Sequence, residues 1–159
     1  MKKLKVYLDT SVINFVYADD APDFKKATVE FFARYSLQYD LYISNVVMAE
    51  LSRDPDAAHR AKLLAVIKAH PITLIGEERW ADVRELAATY LERGLFPANK
   101  EEDAMHAAYA TVHQLDVLLS WNFKHLANVR KEATIQAVTL ELGYRYPLRI
   151  VAPLEVEYE

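Results

Sequence analysis

At 159 residues, with 52% hydrophobic and 26% charged side chains and only 3 Gly and 6 Pro, the chain fits one globular domain, which excludes disordered and fibrous classes. Cysteine is absent, which removes disulfides and thiolate chemistry, so a bound metal would use oxygen or imidazole ligands and a hard cation is favoured. A formal net charge of −4 is not the footprint of a generic nucleic-acid-binding protein; RNA contacts would need a local basic patch, with bound cations offsetting an acidic site.

Lys5 to Leu8 is short and apolar, with the β-formers Val6 and Tyr7, and the polar run Asp9-Thr10-Ser11 follows, so a first strand is expected to end at Asp9. Ser11 is expected to cap a short helix over Val12 to Tyr17. From Asp23 the residues Phe24, Ala27, Thr28, Phe31, Phe32 and Tyr35 recur at helical spacing and predict the first long helix. Leu41-Tyr42-Ile43 reads as a strand, Ser44 or Asn45 as a cap, and Val46 to Leu51 as a helix that stops before Asp54-Pro55.

A helix is expected from Pro55 to Ala69, a strand from Ile72 to Ile75, and an amphipathic helix through Trp80, Val83, Ala87 and Tyr90 that ends at Gly94. Lys100 to His113 predicts a helix, Val117-Leu118-Leu119 a buried strand, Asn122 to Asn128 irregular chain, and Val129 to Leu142 a helix stopped at Gly143. Leu148 to Val151 supplies the last strand. The expected organisation is one domain over residues 1–152 and an acidic tail over 153–159, fraying from Glu155. Alternation of strands and helices predicts an α/β fold whose mainly parallel sheet carries helices on both faces. No apolar run approaches the roughly 18 to 20 residues of a membrane span, and the first acid comes too early for a signal-peptide core, so the expected location is cytoplasmic, with no membrane contact.

Ligands of open α/β sheets collect at the carboxyl ends of the strands, which directs attention to Asp9, Glu50, Asp103 and Asn122. Asp9 puts an ionisable group at the end of an apolar strand, either as a helix cap or as a ligand, and Thr10, Ser11 and Asn14 add oxygens that can orient it or touch a substrate. Glu50 has Val46 and Val47 as helical neighbours and points inward, so it is a metal ligand or the partner of a cation such as Arg53. Asn99 and Glu102 have capping-box spacing, Glu101 reads as solvated, and the small residues Ala104, Ala107, Ala108 and Ala110 let the helix pack closely and pin Asp103 near the strand ends. His106 is a core histidine, an orienter of a ligand or a substrate contact. Lys124, His125, Arg130 and Lys131 are candidate phosphate contacts or the solvated start of a helix. Gathered carboxylates repel one another, and a divalent cation relieves that cost while activating water against a phosphodiester.

Four segments, in this order, carry a resemblance: Val6-Tyr7-Leu8-Asp9-Thr10-Ser11-Val12-Ile13-Asn14, Ser44 to Leu51, Asp103 to Ala108, and Leu118 to Phe123. Together they resemble PIN-domain proteins, in particular the toxin ribonucleases of VapBC-type toxin–antitoxin systems. The resemblance implies a three-layer α/β/α fold, an endoribonuclease dependent on Mg²⁺ or Mn²⁺, a homodimer, and inhibition by a small antitoxin. It assigns Asp9, Glu50 and Asp103 to the acidic metal site. It also implies a fourth acid after the late strand, where this chain has Asn122 and His125; Asp116 lies at the wrong end of that strand. A second reading therefore stays open: a catalytically weak PIN-like module that binds RNA or a protein. A dehalogenase-like phosphatase would need a second Asp where Ser11 stands, and a receiver domain an acidic pair that Asp9 lacks.

Overall fold

The computed structural model describes residues 2–156. Its strands are β1 (Lys5–Leu8), β2 (Asp40–Ile43), β3 (Ile72–Leu74), β4 (Val117–Leu119) and β5 (Arg149–Val151). The helices are α1 (Thr10–Asn14), α2 (Pro22–Glu30), α3 (Asn45–Ser52), α4 (Ala57–Ala69), α5 (Trp80–Glu92), α6 (Glu101–Val112), α7 (Val129–Glu141) and α8 (Pro153–Val156). The strands form one sheet in the order β3-β2-β1-β4-β5, and every neighbouring pair is parallel.

Parallel strands joined by right-handed crossovers must carry their helices on opposite faces when the strand order reverses. The chain moves outward from β1 to β3 with α1 to α4 on one face, then returns to β4 and β5 with α5 to α7 on the other. The result is a three-layer α/β/α fold. Covered on both sides, β1 buries Val6, Tyr7 and Leu8 in succession, as central parallel strands do. The reversal falls between β1 and β4, so the crevice where an α/β protein binds its ligand opens beside Asp9 and the residues that follow Leu119.

Several local expectations need correction. Asp9, not Ser11, caps α1: its carboxylate accepts the Val12 N–H, and the helix starts two residues earlier than expected, at Thr10. The helix begun at Pro22 loosens into a π-helical turn over Phe31–Tyr35 and a 3₁₀ turn over Ser36–Gln38, which lets Phe31, Phe32 and Ser36 all bury. The Asn99–Glu102 capping box does not form, because Lys100 occupies the N-cap of α6 without a side-chain bond and Glu102 pairs with Arg53 instead. Part of the expected tail is helical: Pro153 and Val156 of α8 are buried against the core, and residues 157–159 lie outside those described.

Gly94 and Gly143 end α5 and α7 with positive φ, as their places in the sequence suggest. At the end of α6 the same left-handed turn is made by Gln114, with φ of 56° and the Leu115 N–H bonded to the Ala110 carbonyl. A side chain in that conformation costs roughly 1 to 2 kcal/mol. Gln114→Gly should therefore stabilise the protein by about 1 kcal/mol in denaturant unfolding, and a loss of stability would show that the Gln114 side chain holds the turn.

Candidate active site

Asp9 sits at the switch point because β1 ends there, and it is only 3% exposed. A buried carboxylate survives only if its lone pairs are met. Ser11 Oγ donates to Oδ1 at 2.5 Å, Val12 N to the same oxygen at 3.3 Å, and Ser120 Oγ to Oδ2 at 2.5 Å. Ser120 follows β4, so the crevice is laced across its two walls. Even so, burial pushes the Asp9 carboxyl above the usual carboxylate range, against the opposing pull of His106 and the two hydroxyls.

Glu50 reaches the same place from α3. Its Oε1 accepts from Thr10 Oγ1 at 2.8 Å and lies 2.7 Å from His106 Nε2 on α6. His106 Nδ1 is 2.7 Å from the Tyr7 hydroxyl, which is 2.7 Å from Ser44 Oγ, and Ser44 Oγ accepts the Val46 N–H at the start of α3. With Glu50 ionised, the Nε2–H of His106 donates to it, and a neutral ring then accepts from Tyr7 at Nδ1. Burial is the largest influence and opposes the charge on both partners, but the other groups together outweigh it: the His106 bond and charge, Thr10 and Arg53 hold Glu50 below its ordinary range, and Glu50, Asp9 and Asp103 together raise His106.

Asp103, in the first turn of α6, is half-buried and accepts from Asn122 Nδ2 at 3.1 Å. Burial raises its pKa, partly opposed by His106 and His125. Asn122 is fully committed, since its Oδ1 also accepts the His125 N–H at 2.9 Å and its own N–H donates to Ser120 Oγ. Glu50 is thus bonded to His106, Asp9 and Asp103 lie within electrostatic reach of it, and Asn122 joins them through Asp103.

The other expected residues divide. Thr10 and Ser11 are in the network as supports of Glu50 and Asp9. Asn14 is exposed at the end of α1 and takes no part in orienting Asp9. His106, 2% exposed and bonded at both nitrogens, is too enclosed to touch a substrate and acts on Glu50 instead. Lys124 and Arg130 are exposed, and His125 is half-buried within electrostatic reach of Asp103. Lys131 is not a free cation: its ammonium donates to the Leu95 carbonyl and lies 5.2 Å from the Phe96 ring centroid. Arg53, weighed as the partner of Glu50, pairs at 2.6 Å with Glu102. Sequence reasoning missed Tyr7, Ser44 and Ser120. A polar residue directly after an apolar strand, as at Ser44 and Ser120, was a signal available for two of them.

The donors are carboxylate oxygens, the kind that suits a hard divalent cation. Oε2 of Glu50 and Oδ1 of Asp103 are not used in the bonds above. Among the described residues no three acid or imidazole side chains form a coordination set.

An acidic crevice at the switch point of a parallel three-layer sheet defines the class of protein, and comparison with known proteins narrows it. The model of the PIN domain family matches residues 6–132, from β1 into α7, and the chain belongs to that family. PIN domains are generally nucleases. Among solved structures it is similar to VapBC2 from Rickettsia felis bound to a DNA fragment from its promoter, at 15% identity and a TM-score of 0.56, covering 94% of this chain and 98% of that one. DNA-bound VapBC from Salmonella typhimurium is 18% identical, with a TM-score of 0.54 and the same coverage. A toxin–antitoxin complex from Klebsiella pneumoniae is 16% identical, with a TM-score of 0.52, covering 79% of this chain and 93% of that one. No curated protein matches.

Two measurements test this arrangement. A carboxyl whose pKa is raised by folding favours the fold while protonated, so its contribution is present at low pH and is lost as pH rises through the raised value. At neutral pH, ionised Asp9 therefore works against the metal-free fold. Asn caps a helix as well as Asp does, so metal-free Asp9→Asn should melt above the native protein at neutral pH, with the gap closing on acidification. A lower neutral melting temperature would make Asp9 a structural acid. His106→Gln can still donate to Glu50 from its amide, whereas His106→Leu leaves Glu50 only Thr10 and Tyr7 only Ser44; the unfolding free energy should fall by about 1 and about 3 kcal/mol respectively. Equal losses would refute the role given to the Glu50 bond.

Proposed function

We propose that this protein is an endoribonuclease that hydrolyses RNA phosphodiester bonds with Mg²⁺ or Mn²⁺ held by Asp9, Glu50 and Asp103, and that it is the toxin of a toxin–antitoxin pair. The observation that carries the reading is the placing of three carboxylates, from the end of β1, from α3 and from α6, at the switch point, with Glu50 bonded to His106 and Asp9 and Asp103 within electrostatic reach of the same imidazole. Nothing in the interior of a fold requires that expense. Two of the three carboxylates are destabilised by burial, as expected of groups kept for chemistry rather than for stability.

A bound divalent cation would relieve the repulsion among these acids and lower the pKa of a water it holds. The protein's own contribution is placement. Ser11 and Ser120 fix the plane of the Asp9 carboxylate, His106 and Thr10 fix Glu50, and Asn122 fixes Asp103. His125 and Lys124 stand on the rim, where a phosphate oxygen would meet them. A small antitoxin and a homodimer belong to the same proposal, and a toxin–antitoxin complex is what was solved for the Klebsiella neighbour.

One observation favours a second reading, a catalytically weak PIN-like module that binds RNA or a protein. Where the resemblance implies a fourth acid, Asn122 spends both ends of its amide inside the protein. Asn122→Asp keeps an acceptor for the His125 N–H and adds a charge beside Asp103. Mn²⁺ should then bind about tenfold more tightly, while the metal-free protein loses stability at neutral pH. Unchanged Mn²⁺ affinity would place Asn122 outside the metal's reach.

The decisive assay is cleavage of a mixed structured and single-stranded RNA pool in Mn²⁺, Mg²⁺ or EDTA, beside Asp9→Asn. Cleavage that needs the metal and vanishes in the variant is the expected result. A folded protein that cuts nothing under any metal would overturn the nuclease and leave the binding module.

A further inference from the structure

We propose that Phe123, backed by Phe24 and Trp121, is a stacking shelf for a nucleobase of the substrate beside the cut. This rests on the nuclease reading above. Asn122 turns its side chain to Asp103, and the next residue turns away onto the α2 side of the crevice: the Phe123 ring lies 5.9 Å from that of Phe24 and 6.0 Å from that of Trp121. Phe24 is stacked on Trp121 at 4.5 Å and an interplanar angle of 28°. These rings form a graded series, with Trp121 5% exposed, Phe24 half-buried and Phe123 45% exposed.

The series is anchored to the site. The Trp121 indole N–H donates to Thr28 Oγ1 at 2.8 Å, and its backbone N–H donates to Ser11 Oγ at 2.9 Å, the hydroxyl that itself donates to Asp9. Phe123 is held from the other side as well, since Asn128 Nδ2 donates to its carbonyl at 2.7 Å and the Leu126 and Ala127 N–H groups close the turn onto the Asn122 carbonyl. A large aromatic ring is therefore displayed to solvent on a rigid turn, one residue from a side chain that contacts a candidate metal ligand. Little conformational freedom remains to be lost when something stacks on it.

Charge decides what that is. Lys124 follows the ring directly in the chain and Arg130 lies in the first turn of α7; both are exposed, and among the described residues neither is in a salt bridge. An exposed ring with a free cation next to it on the same turn suits a nucleotide, whose base has a π-face and whose phosphates are anionic. In an A-form duplex the base faces are covered by their neighbours, so a phenyl ring can stack only where the strand is unpaired.

The test uses short RNA oligonucleotides carrying 2-aminopurine, single-stranded or in a duplex, with the full chain in EDTA so that nothing is cut. The native protein should quench the single-stranded probe. Phe123→Leu, which keeps apolar bulk but no π-face, should weaken that binding about tenfold, and Phe123→Trp should restore it. Duplex affinity should stay the same in all three, because it rests on phosphate contacts. Equal single-strand affinity and quenching in Phe123→Leu, with RNA cleavage by the native protein intact, would overturn the shelf alone. A native protein that neither binds nor cuts RNA would overturn the nuclease reading with it.

Discussion

A carboxylate at the end of a buried strand must be solvated by the protein, and much of this molecule's local architecture follows from that demand at Asp9. Little water can reach it, so Ser11, Val12 and Ser120 stand in for water. Ser11 can do so because α1 begins at Thr10, and Ser120 because β4 runs parallel beside β1 and ends level with it. Tight coupling of the two strand ends then dictates where Trp121 and Asn122 emerge, and through Asn122 the position of Asp103. The acidic crevice is a consequence of strand order as much as of residue choice.

A second layer extends the same logic. Glu50 is kept ionised by a buried histidine whose far nitrogen is met by a tyrosine from the strand that carries Asp9. Tyr7 lies within β1 and Ser44 follows β2, so the network spans the two strands and reaches helices on both faces of the sheet. Each link has a partner, which is why so much polarity is tolerated among residues that are almost wholly excluded from water. The exposed side of the crevice is built differently, from aromatic rings and free cations.

Much of this was legible in the residues. Apolar runs bounded by polar ones place the five strands within a residue or so, and the alternation with helices yields the parallel sheet and both helical layers. Asp9, Glu50, Asp103 and Asn122 could be picked out because each breaks an apolar pattern at a strand end or a packed helix face. What stayed hidden depends on distances that sequence spacing does not contain. Asp9 and Ser11 are equally good caps on paper, and only the strand's length decides between them. Lys131 looks like a phosphate contact until α7 carries it to the Leu95 carbonyl. His106 was weighed as a core histidine, an orienter of a ligand or a substrate contact, and its meeting with Tyr7, across 99 residues of chain, encloses it away from a substrate. The π-helical turn at Phe31–Tyr35 and the docking of α8 arise from packing against neighbours far away in sequence.

The central claim is that Asp9, Glu50 and Asp103 are placed to close on one hard cation. Anomalous diffraction from crystals grown with Mn²⁺ tests it most directly, because it locates the ion without any assumption about the reaction. The account predicts a peak bounded by oxygens of those three residues, with His106 and Ser120 behind them and outside its coordination. Occupied Mn²⁺ elsewhere on the molecule, with this crevice empty at saturating metal, would contradict it.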